Sequence, residues 1–138
     1  INGLTLGTKA PDIYRALVKA TIFGSKHIYD SLIEAGVQIE RVICVGGVAS
    51  KSKYIMQMMS DVLNVPLMVS KEKQSCARGA CVFAAVGAGI FKSVQEAQNA
   101  LCESYQPTFY PRRNIHDHYL EEYAEYLELG RYVEENMR

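Results

Sequence analysis

The residues with the clearest chemical potential are Gly46-Gly47, followed closely by Ser50 and Lys51. They come directly after a β-branched run, Arg41-Val42-Ile43-Cys44-Val45. Two glycines remove both β-carbons from a tight turn, so a ligand can lie directly on the main chain. A helix starting there presents free N–H groups and the positive end of its dipole, which suits an anion. Lys51, four residues past Gly47, is placed to reach back over such a group. A turn that needs glycine only for its geometry has the same pattern, and the spacing leaves both readings open. A Walker-type phosphate loop is excluded, because no Gly-x-x-x-x-Gly-Lys-Ser/Thr occurs. Gly87-Ala88-Gly89 lacks the third glycine of a dinucleotide fingerprint and reads as packing or a helix cap.

Other reactive residues are less well arranged. His116-Asp117-His118 looks like a metal cluster, but on a helix its two histidines point roughly 200° apart. An exposed helix start is the expectation there, and no metal site is assigned. His27 lies among apolar residues at helical spacing and reads as a core or flank histidine. Tyr119, Tyr123 and Tyr126 stand at i, i+4 and i+7, a packing face first and a stacking platform only remotely. Cys44, Cys76, Cys81 and Cys102 form no Cys-x-x-Cys and read as buried thiols of a cytosolic protein. No convincing general base is found, so no catalytic residue is assigned.

Holding Gly46-Gly47 in place requires a strand before it and a helix after it. Apolar residues from Ile13 to Ile33 recur at helical spacing, with Pro11-Asp12 at the start and Gly36 as a cap. This predicts a long helix over about 12–35. Residues 41–45 predict a short strand covered on both faces, because the run does not alternate. Ser50 or Ser52 can cap the next helix, which Asn64 ends. Pro66-Leu67-Met68-Val69 predicts a second strand, parallel to the first in a βαβ unit. Ser75 is expected to cap a helix rich in Gly and Ala, and Ser93 one over about 94–104. Residues 106–114 read as extended or turn-like around two prolines, and a last helix runs over about 116–135.

The 138 residues are 49% apolar and 22% charged, with a net charge of zero, which fits one globular domain and excludes general disorder. The balanced charge argues against nucleic-acid binding, and no apolar run approaches a membrane span. Residues 46–80 carry five basic and two acidic residues, whereas 116–138 carry seven acidic and two basic ones. The chain begins at Ile1 without a methionine and reads as a fragment. Two strands are too few to cover several helices, so further strands are expected upstream of residue 1.

Val42 to Ala49, with Lys51, Met56-Gln57 and Asp61 to Leu67, resembles the adenosine motif of the FGGY carbohydrate kinases. Cys76 to Val86 resembles the small-residue helix that closes their nucleotide domain. Gly7-Thr8-x-Ala10-Pro11, Ala20-Thr21-x-Phe23-Gly24 and Phe83-Ala84-Ala85-Val86 are most similar to the members that phosphorylate pentuloses. The likeness loosens from about Pro107. It implies an α/β fold: the C-terminal part of an actin-like (ribonuclease H-like) ATPase domain, mostly helical with one βαβ unit and lacking its first strands. Residues 1–106 would belong to that domain, and 107–138 would be an extended segment with a helix packed on it.

The resemblance implies ATP and Mg²⁺ as cofactors and a pentulose as substrate, bound across a cleft between two halves. Gly46 and Gly47 would lie against the α-phosphate and ribose, and Lys51 near the adenine, with Ser50 completing the nucleotide-binding set. The catalytic Asp, both phosphate loops and the sugar site would precede residue 1, leaving this fragment inactive alone. A cytoplasmic enzyme is implied, with room for a homodimer. The competing readings are a kinase for xylulose or glycerol, a non-catalytic nucleotide module like those of actin and Hsp70, and a plain interaction domain.

Overall fold

The computed structural model of the chain describes residues 3–72, 74–102, 105 and 107–136. Among the described residues six helices and three short strands follow one another: α1 (Ala10–Glu34), β1 (Val42–Cys44), α2 (Gly47–Lys51), α3 (Lys53–Leu63), β2 (Leu67–Val69), α4 (Ser75–Gly87), α5 (Val94–Leu101), β3 (Pro107–Phe109) and α6 (Arg113–Asn136). They gather into two compact units. The first takes Ile1–Glu40, Met58–Val65 and Pro111–Arg138, and the second Arg41–Gln57 and Pro66–Tyr110.

In the first unit α1 starts as expected, with Pro11 in its first turn and the Lys9 N–H donating to the Asp12 carboxylate at 3.0 Å. It ends in a left-handed turn at Gly36, where φ is +83°. The Gly36 N–H reaches the Ile33 carbonyl at 2.9 Å and the Val37 N–H reaches that of Leu32 at 3.0 Å. Those two bonds use carbonyls the last turn would otherwise leave unpaired, and glycine takes that φ without a steric penalty.

The tyrosine stripe of α6 is a packing face. Tyr119, Tyr123 and Tyr126 surround the buried Phe23 ring of α1 at centroid distances of 6.4, 5.7 and 5.6 Å. Lys19 donates to both carboxylate oxygens of Glu122 at 2.7 Å, and Lys26 pairs with Asp30 at 2.8 Å beneath the Tyr123 ring. Burial pushes the Tyr123 phenol up to about 12, and its hydrogen bond to Asp30 adds to the shift.

A buried carboxylate ties α3 to the start of α6. The Asp61 side chain is 0% exposed. It accepts the Arg112 backbone N–H at 2.9 Å and the guanidinium at 2.6 Å. His116, expected at an exposed helix start, is only half-exposed and bonds the Asp61 carbonyl through Nδ1 at 2.9 Å. His118 is exposed as expected. The Ser60 hydroxyl donates to the Val65 carbonyl at 2.9 Å, fixing the turn at Asn64, which adopts φ 56°.

In the second unit β1 and β2 pair in parallel, as predicted, with Val42, Ile43 and Cys44 opposite Leu67, Met68 and Val69. The sheet has a third strand. β3, in the segment read as extended or turn-like, pairs antiparallel with β2 in the order β1-β2-β3. Its proline costs little there, because an edge strand can begin at a residue with no N–H for the ladder. The cover expected on both faces of β1 is corrected. Ile43 is 38% exposed on one face of the strand, while Val42 and Cys44 on the other face are half-buried. Gln74, not Ser75, precedes the first turn of α4; the Ser75 hydroxyl donates instead to the Glu72 carbonyl at 3.2 Å. Ser93 caps α5 as predicted, accepting the Glu96 N–H at 3.2 Å.

Candidate functional site

Gly46, Gly47, Ser50 and Lys51 all fall on one strand-to-helix turn of the second unit. β1 ends at Cys44, and the chain turns through Gly46 at φ +94°, in the left-handed region where a side chain would be strained. α2 begins at Gly47. The Ser50 N–H closes the first helical bond onto the Gly46 carbonyl at 3.1 Å. The N–H groups of Gly47, Val48 and Ala49 therefore have no partner within the helix. A β-carbon added at either glycine would meet nothing within 4 Å, so the main chain here is open to an incoming group.

One helix was expected after the glycines, and two are present. α2 lasts only to Lys51, because Ser52 turns into an extended conformation (φ −114°, ψ 91°). The Ser52 hydroxyl then accepts the Ile55 N–H at 3.3 Å and caps α3. Ser50 serves the turn: its hydroxyl donates to the Gly47 carbonyl at 3.2 Å. Lys51 is exposed in the last turn of α2. The buried Ala49 anchors this short helix while Val48 projects into solvent, 60% exposed.

Elsewhere in the second unit Arg78 of α4 is paired with Glu72, and that hydrogen bond holds its guanidinium more firmly protonated than usual. Sequence reasoning counted Arg78 only as part of a basic region. The buried thiols also need correcting: Cys76 and Cys81 are exposed, and Cys44 and Cys102 half-exposed. Burial pushes the Cys44 thiol up. His27 is exposed and lines an open groove of about 670 Å³ on the first unit with Tyr126 and Leu129. A second groove there, about 520 Å³, is lined by Leu17, Phe23, Glu125 and Leu129 among others. Neither groove includes a residue of the Gly46-Gly47 turn. Among the described residues no three His, Cys, Asp or Glu side chains could hold a metal ion. No helix there is long and apolar enough to cross a membrane.

Residues 1–88 match the FGGY family of carbohydrate kinases, C-terminal domain. The chain belongs to that family. The match takes in α1, the β1–Gly46-Gly47 turn, β2 and α4. Among curated relatives the chain is 41% identical over 135 residues to a ribulokinase of Vibrio parahaemolyticus, covering 98% of this chain and 24% of that protein. It is 38% identical over 136 residues to a ribulokinase of Anoxybacillus flavithermus, covering 96% of this chain and 24% of that protein. This FGGY chain thus spans about a quarter of the length of the curated relatives it matches. A ligand-bound xylulose kinase from Lactobacillus acidophilus shares its fold, with a TM-score of 0.82 at 22% identity over 98% of this chain and 27% of that one. A Plasmodium falciparum glycerol kinase solved with ADP aligns with a TM-score of 0.69 at 29% identity, over 91% of this chain and 25% of that one. This chain therefore has the fold of a C-terminal part of the actin-like FGGY kinases, mostly helical with a small mixed sheet.

Proposed function

We propose that this chain is the adenosine-binding part of an ATP-dependent pentulose kinase, which moves the γ-phosphoryl of ATP to the 5-hydroxyl of L-ribulose. The observation that carries the substrate is the likeness to ribulokinases, 41% identity along 98% of the chain. A nucleotide is supported by the open turn at Gly46-Gly47 and by the ADP of the related glycerol kinase. The Gly46 and Gly47 backbone takes the α-phosphate and ribose. Ser50 holds the turn in shape, and Lys51 lies toward the adenine.

Transfer of a phosphoryl group relies on positioning and on neutralising charge. These residues supply positioning at the nucleoside end. Mg²⁺ would come with the ATP phosphates and neutralise their charge; the described residues offer it no carboxylate cluster of their own. The catalytic carboxylate and the sugar site belong to the remainder of a cytoplasmic parent enzyme, so this chain alone is inactive. The xylulose and glycerol kinases among the structural neighbours favour a second reading, the same chemistry on another sugar or polyol.

Two measurements test this. Nucleotide titration of Gly47→Val should show binding at least about tenfold weaker, about 1.4 kcal/mol. A β-carbon at Gly47 meets open space, so the fold should survive and the loss should reflect the ligand alone. Unchanged affinity removes the turn as the site. The parent protein should then be assayed for ADP release with L-ribulose, D-ribulose, D-xylulose and glycerol. Turnover on a ribulose isomer supports the first reading, and turnover on xylulose or glycerol alone supports the second. Slow hydrolysis with no sugar dependence points to a non-catalytic nucleotide module.

A further inference from the structure

β1 and β2 run parallel, so both end at the same edge of the sheet. The Gly46-Gly47 turn leaves β1 there, and residues 70–74 leave β2 there on the way to α4. The two segments are neighbours. The Ser70 N–H donates at 3.0 Å to the carbonyl of Cys44, two positions before Gly46. Ligands of open α/β sheets bind outside the carboxyl ends of the strands. A group lying on the Gly46-Gly47 turn therefore has the start of the β2–α4 loop beside it.

That loop is charged, yet it is tied down. Ser70 is 4% exposed and Glu72 half-buried, with the exposed Lys71 between them. The Glu72 N–H donates to the Ser70 hydroxyl at 3.1 Å. The Glu72 carboxylate accepts the Gln74 N–H at 3.1 Å through one oxygen and Arg78 Nε at 2.9 Å through the other. Arg78 Nη2 pairs with that second oxygen as well, which makes the contact two-pronged. Arg78 Nη1 donates to the carbonyl of Leu101, the last residue of α5, at 3.0 Å. One guanidinium thus fastens the loop to the packed pair α4 and α5. A partly exposed ion pair contributes little to stability, so this arrangement fixes where the loop lies more than it holds the fold together.

We propose that the Ser70–Glu72 segment is the second wall of the nucleotide site, where Lys71 serves as a cation for the nucleotide phosphates. Glu72 and Arg78 are its positioning residues, acting through the loop and not by touching the ligand. This rests on the nucleotide reading of the Gly46-Gly47 turn.

Two measurements on the chain with ADP and Mg²⁺ test it. In hydrogen exchange, ADP should slow peptides spanning 46–51 and 70–75 together. In nucleotide titration, Glu72→Gln separates positioning from bulk charge, because the two predict opposite signs. Losing an acid beside an anionic ligand should tighten binding by charge alone. Losing the ionised partner of the Arg78 fork should instead free the loop and weaken ADP by at least about threefold, the worth of one exposed charge contact. Arg78→Lys keeps the charge but not the two-pronged contact, so it should weaken ADP as well. Lys71→Ala should weaken ADP by a similar factor, and Glu72→Gln should add little in that background. Protection at 46–51 without 70–75 would overturn the proposal and leave the nucleotide reading standing. So would unchanged or tighter ADP binding by Glu72→Gln. Protection at neither segment would remove both.

Discussion

Replacing Arg112 by Ala removes the guanidinium that faces the buried Asp61 carboxylate and keeps the backbone N–H that also reaches it. Breaking a buried ion pair by deleting one partner costs about 3–5 kcal/mol. Hydrogen bonds to a charged group contribute about 1.5–3 kcal/mol. The Arg112 side chain is 57% exposed, however, so water already shares the guanidinium and the larger figure must be discounted. A loss of about 2 kcal/mol follows. For a chain of this size that is a fall of roughly 6–10 °C in melting temperature. Urea and thermal unfolding followed by circular dichroism would read it, with the urea m-value unchanged. The same replacement in an Asp61→Asn background should cost about 1 kcal/mol less, because no buried charge is then left without its counterion. A single-mutant loss within about 0.5 kcal/mol of zero, or equal losses in both backgrounds, would refute the reasoning.

Alkaline pH should weaken the first unit through Tyr123. Its phenol holds its proton to about pH 12 when folded but releases it near pH 10 when unfolded, so the native state binds more protons between those values. Stability from this group is complete below about pH 10 and is lost as pH rises toward 12. Tyr123→Phe should flatten the fall in melting temperature over that range, and an unchanged slope would count against it. In the second unit, Ser93→Ala removes the hydroxyl that accepts the Glu96 N–H and should cost about 1 kcal/mol in denaturant unfolding, with Ser93→Gly costing only a few tenths.

Much of the fold was legible because local signals agreed with one another. Pro11-Asp12 and Gly36 bracket α1, Ser93 caps α5, and two short apolar runs flanking a helical stretch form a parallel pair. β3 was hidden by its proline, which breaks a central strand but not the first position of an edge strand. The split between α2 and α3 was hidden because Ser50 and Ser52 are both good caps. Only the backbone at Ser52 decides between them. Apolar surroundings in sequence made the cysteines read as buried. Periodicity shows which residues are apolar, not how many neighbours cover them, and α4 is covered on one side far more than on the other. The Gly46-Gly47 turn was visible from its spacing, whereas its positive φ and open surroundings came only from the structure. Asp61 gave one signal that was not used. A lone carboxylate among the largely apolar residues from Met58 to Leu63 requires a partner once buried, and Arg112 lies 51 residues away.

The pairing of α1 with α6 joins the two ends of the described chain, and the Lys19–Glu122 bond alone spans 103 residues. During synthesis α1 leaves the ribosome before α6, and Phe23 lacks Tyr119, Tyr123 and Tyr126 to pack against until those residues emerge. At about 5–20 residues per second that interval lasts roughly 5–20 seconds. Throughout it, Leu17, Phe23 and Ile28 are available to any chaperone or neighbouring nascent chain. Conditions that slow elongation, or an early stop that deletes α6, should therefore harm the yield of this protein more than its measured stability would suggest.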